Sequence, residues 1–101
     1  MEDLKGINLF PHFHNFTASS NMTEIVLPDS AKKISIGSNV QALYIAQNGA
    51  SDGGSVPTNK AFIPKSNYLP IAMGRGYNRS NSLFVATQTG SAEVSIILEE
   101  E

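Results

Sequence analysis

A chain of 101 residues with 41% hydrophobic and only 16% charged residues is too apolar for disorder. It reads as one globular domain able to bury roughly two-thirds of its unfolded surface. The formal charge of −2 includes seven scattered cations (Lys5, Lys32, Lys33, Lys60, Lys65, Arg75, Arg79), which form no stripe for a phosphate backbone, so nucleic acid is not an expected partner. The absence of cysteine excludes disulfides, thiolate metal sites and a cysteine nucleophile, and no apolar run approaches the ~20 residues that span a bilayer, so a soluble chain without a membrane partner is expected.

Met1-Glu2-Asp3 is the reverse of a signal peptide's basic start, and no export signal is expected. The sequons at Asn15-Phe16-Thr17, Asn21-Met22-Thr23 and Asn78-Arg79-Ser80 are accordingly read as chance products of an Asn/Ser/Thr-rich chain. Residues 7–16 hold Phe10, Phe13 and Phe16, three of the five phenylalanines, but Pro11 removes a ladder donor. The segment is therefore either an edge strand or an extended arm. The reading taken is an arm over residues 1–22, followed by a β domain over residues 23–101.

Residues 24–28 predict a short strand with Ile25 and Leu27 inward, stopped by Pro28-Asp29. Lys33 to Gly37 alternates with Ile34 and Ile36 on one face, and Ala42 to Gln47 places Leu43 and Ile45 inward with Tyr44 opposite. From Asn48 to Lys60 the chain loses all periodicity. A loop of that length in a compact domain is usually functional or mobile, which makes it a first candidate surface. Phe62-Ile63 and Leu69 to Met73 predict two more strands, broken by Pro64 and Pro70, and residues 74–81 form a second polar loop.

Ser82 to Leu98 then presents two β-rich runs flanking Thr89-Gly90, the pattern of a hairpin. An even register sets Val85 against Val94, Leu83 against Ile96 and Thr87 against Ala92, leaving Phe84 and Ile97 on the other, partly dry face. Short strands spaced about 8–12 residues apart, with no sustained helical period, predict an all-β, single-domain antiparallel β-sandwich of jelly-roll or Ig-like type, with a C-terminal hairpin and an extended N-terminal arm.

The inventory for chemistry is short. His12 and His14, two apart, leave one face of a strand, but the segment holds no acid to complete a metal shell, so no metal and no cofactor are expected. Asp52-Gly53-Gly54 lacks the spaced carboxylates of a calcium loop, and Gly74-Arg75-Gly76 lacks the third glycine of a dinucleotide site. Without a nucleophile elbow, or paired carboxylates outside the Glu99-Glu100-Glu101 tail, no catalytic residue is assigned and an enzyme is not expected. Arg75, Tyr77 and Arg79 form a candidate ligand loop for a sugar ring or a carboxylate.

The runs L-P-D-S-A-K-K-I-S-I-G-S (27–38), A-L-Y-I-A-Q-N (42–48), I-P-K-S-N-Y-L-P-I (63–71) and the final 82–98 segment resemble small β-sandwich structural proteins of tailed bacteriophage virions, the capsid decoration, head-fibre or head–tail accessory subunits. The resemblance spans residues 23–98 and departs at Pro64-Lys65-Ser66-Asn67, where a Pro-Gly-type turn is expected. It implies a virion location, other virion proteins as partners, and a homo-oligomer with a trimer favoured. Phe10, Phe13, Phe16, Tyr44, Phe84 and Ile97 are the expected interface, and removal of residues 1–16 is expected to leave a folded domain that no longer assembles. The alternative is a carbohydrate-binding or host-adhesion module acting through the 74–81 loop.

Overall fold

The computed structural model describes residues 1–73 and 81–100. Among them the chain forms β-strands and no helix, so no helix is long and apolar enough to cross a membrane. The strands are β1 (Glu2–Asp3), β2 (His12–Ala18), β3 (Thr23–Val26), β4 (Lys33–Gly37), β5 (Leu43–Ala46), β6 (Ala61–Ile63), β7 (Tyr68–Ala72), β8 (Ser82–Thr87) and β9 (Ala92–Glu99). They form a five-stranded sheet in the order β1-β3-β8-β5-β6 and a four-stranded sheet in the order β2-β9-β4-β7.

These orders have a simple origin. The antiparallel pairs β2 with β9, β3 with β8, β4 with β7 and β5 with β6 are those of one long two-ply ribbon, folded back at residues 47–60. Successive pairs of the ribbon alternate between the two sheets, and the contacts of β8 with β5 and of β9 with β4 complete each sheet. That rolled ribbon is the jelly-roll topology. The expected sandwich is thus present in its jelly-roll rather than its Ig-like form. Pairing is antiparallel except at β1, which adds to β3 in parallel.

Period-two alternation builds the core. Ile25, Leu43, Ile45, Ile63, Leu83 and Val85 point in from one sheet, and Ile34, Ile36, Val94, Ile96 and Leu98 from the other; all are buried. Leu4, Leu27 and Ala31, from the connections, join the same cluster.

Two expectations are corrected. Ser82 to Leu98 is not a hairpin, because β8 and β9 lie in different sheets and residues 88–91 carry the chain across the end of the sandwich. Thr87 secures that crossing, donating its hydroxyl to the Gly90 carbonyl at 2.7 Å, while Gly90 adopts a φ of 67°. Val85 and Val94 are both buried in the main cluster, but across the core rather than side by side. Alternation had identified the faces correctly. It carries no information about which strand supplies the hydrogen bonds, and in a rolled ribbon β9 pairs with β2.

The N-terminal arm is corrected for the same reason. His12–Ala18 pairs with β9 over its full length, and Glu2–Asp3 edges the opposite sheet, so residues 1–22 are woven into the domain. Pro11 lies just outside β2, where its missing donor costs the ladder nothing.

Candidate assembly surface

β2 is the edge of the four-stranded sheet, and its alternation divides the aromatic residues of the predicted interface. His12, His14 and Phe16 turn to the inner side and form a ladder of rings, with centroids 6.4 and 6.1 Å apart. Phe10 and Phe16 pack against the main core as half-buried groups. Phe13 points outward and is 68% exposed, beside Ile97 of β9. The row continues through Ser35 to Pro70, and the next runs from Asn15 through Ser95 and Gly37 to Tyr68. At Gly37 a Cβ would meet the Asn67 carbonyl and the Tyr68 ring, so glycine is needed for the tyrosine to lie across the sheet.

Tyr44 and Phe84 are placed differently. They lie on the outer face of the five-stranded sheet, in a second small core with Met22, Ala46 and Ala86. Residues 48–60 cover this face: Ala50 and Val56 pack on it, the Met22 N–H donates to the Gly54 carbonyl and the Gly53 N–H to the Met22 carbonyl, both at 2.7 Å. The Asp52 carboxylate accepts the Glu24 N–H at 2.9 Å and lies 3.6 Å from the N-terminal ammonium. The Glu24 hydrogen bond, with help from that ammonium, holds the Asp52 carboxyl below its usual range. Gly53 turns at a φ of 77°, which suits glycine. At the loop's end the Lys60 ammonium sits 5.3 Å from the Tyr44 ring centroid, and Phe62 of β6 tilts against that ring at 5.9 Å.

The two histidines leave one face of β2, as their spacing requires. The Nε2–H of His14 donates to Glu2 Oε1 at 2.7 Å, clasping the edge of one sheet to the edge of the other. Sequence spacing missed this acid because it comes from another strand. Among the described residues no group of three or more His, Cys, Asp or Glu side chains converges as a metal would need. An open recess of about 540 Å³ lies between Phe10, Pro11, Lys32, Glu99 and Glu100, and a more apolar cleft of about 320 Å³ opens between Leu69 and Ile71 on one sheet and Ile45 and Leu83 on the other. Among the described residues neither is lined by a nucleophile beside a base. Arg75, Tyr77 and Arg79 lie outside the described residues.

No protein-family model matches the chain, and neither the curated proteins nor the solved structures yield a significant match.

Proposed function

We propose that this chain is a non-enzymatic structural protein of a tailed-phage virion, assembling as a homo-oligomer and docking on the capsid or the head–tail region. The observation that carries the proposal is the edge strand β2, which bears an outward phenylalanine beside Ile97 on an open sheet edge. A free surface gains nothing from a large exposed aromatic at an unpaired edge, whereas an interface uses such a side chain as an anchor. The jelly roll supports the reading by analogy, since the architecture recurs in viral capsid domains. The sequence resemblance to virion β-sandwich proteins points the same way.

Particles purified from cultures making the chain provide the test. The chain should band with intact virions in fixed stoichiometry to a capsid component, and its recovery only in the particle-free fraction would overturn the proposal. Jelly rolls also occur in lectin domains, so the glycan-binding alternative predicts retention on a glycan column that is lost on replacing Arg75, Tyr77 and Arg79 together.

A further inference from the structure

The sandwich has four sheet edges, and three of them are blunted. β1 contributes two residues, and β6 contributes three, between Lys60 and Pro64. β7 carries Pro70 in mid-strand, without an amide donor. Among the described edge strands β2 alone is both long and free of proline and of fixed charge, although Glu2 of β1 is bound to its His14. Its seven residues, H-F-H-N-F-T-A, include no proline, lysine, arginine, aspartate or glutamate. Among the described residues no backbone hydrogen bond reaches β2 from any strand but β9.

We propose that β2 is the seam of a homodimer, pairing antiparallel with β2 of a second copy across a two-fold axis at Asn15 and merging two four-stranded sheets into one of eight strands. This rests on the assembling role proposed above and specifies its geometry; pairing of this kind closes with two copies, unlike the three-fold arrangement expected from sequence.

Three observations select a second copy as the occupant. The strand is uncharged apart from any histidine protonation, so bringing it against itself opposes no fixed like charges, the usual deterrent at a sheet edge. The register centred on Asn15 pairs all seven residues, whereas any other antiparallel register leaves residues overhanging. The side chains also match. Outward, Phe13 meets the partner's Thr17, an aromatic against a β-branched residue; inward, His14 meets the partner's Phe16, so the ring ladder along one strand continues into the next.

Asn15 is exposed on the outer face, so its replacement leaves the core untouched. The native chain should sediment as a dimer. Asn15→Lys and Asn15→Glu each set like charges opposite one another at the axis and should sediment as folded monomers, while an equimolar mixture of the two should recover the dimer. Because the chain contains no cysteine, Asn15→Cys should cross-link to itself under mild oxidation, the Cα atoms of directly opposed residues being about 4.5–5.5 Å apart. Val40→Cys, on the exposed β4–β5 connection, should not. A native dimer or larger assembly that persists in both charged variants would overturn the β2 seam while leaving the assembling role in place. A native monomer that still bands with virions would likewise overturn the seam alone. A native monomer absent from virions would overturn both.

Discussion

The outer faces of the two sheets have been treated differently. On the five-stranded sheet, Tyr44, Ala46, Phe84 and Ala86 would form an apolar surface, but residues 48–60 fold across it, and Met22 and Ala86 are 1% and 0% exposed. On the four-stranded sheet, Phe13 and Ile97 stand side by side and Phe13 remains 68% exposed. Apolar residues on a strand's second face are therefore ambiguous in sequence: they mark either a lid supplied by the chain itself or a surface left for another molecule. What distinguishes them is an aperiodic segment able to reach the face.

The sharpest contrast is between either outer face and the core they share. Val94 is fully buried at the sandwich centre. Val94→Asp places an unpaired carboxylate there, at a cost of about 4 kcal/mol or more. Against a total stability of about 5–15 kcal/mol the chain should fail to fold, seen as loss of the cooperative melt. A native-like melt would mean that the core side of β9 is wrongly assigned.

The next largest effect tests whether the N-terminal segment belongs to the domain. Removing residues 1–16 deletes β1 and most of β2, takes Leu4, Phe10 and Phe16 from the core, and strips one edge of β9. The structure predicts an aggregating or unfolded product, the reverse of what the sequence suggested. A folded, monomeric truncation with dispersed amide resonances would restore the arm.

The contrast between lid and open surface is then measured directly by one truncation on each face. Met22→Ala, beneath the loop, should cost about 2–5 kcal/mol, as buried methionines do. Phe13→Ala should change the stability of the single chain by no more than about 0.5 kcal/mol. Equal costs in denaturant titrations, both made in the Asn15→Lys background that should be monomeric, would erase the distinction.

How far these features were legible depends on their range. From β3 onward the strand positions and inward faces were readable because alternation is local: Ile34 and Ile36, or Leu43 and Ile45, declare themselves within five residues, whereas β1 and β2 were read as an arm. Pairing was not. In a rolled ribbon β2 finds β9 at the opposite end of the chain, and no pattern within either strand encodes that distance, so the run around Thr89-Gly90 looked like a local turn. The satellite core left two traces, Tyr44 and Phe84 on the second faces of their strands. The loop that covers it could be found only as a stretch without period. The Glu2–His14 clasp left none.

The smallest effect concerns how the lid is fastened. Asp52 accepts the Glu24 amide and sits beside the N-terminal ammonium, and both favour its ionised form, so its folded pKa lies below 3.8. A depressed folded value means that the unfolded chain takes up the proton first as pH falls. The stabilisation is therefore complete well above 3.8 and is lost as pH drops from the ordinary carboxylate value through the folded one. Asp52→Asn keeps an oxygen able to accept the Glu24 N–H but removes the charge. The variant should melt slightly below the native chain at neutral pH, and the gap should close as the pH falls below 3.8. Because the carboxylate is exposed, the gap will be small in a global melt, and exchange protection of the Glu24 amide is the better reporter. Faster exchange of that amide in the variant at neutral pH, converging with the native rate in acid, is the expected result; parallel rates across the whole range would mean that the lid is held by the Met22 and Gly53-Gly54 backbone bonds alone.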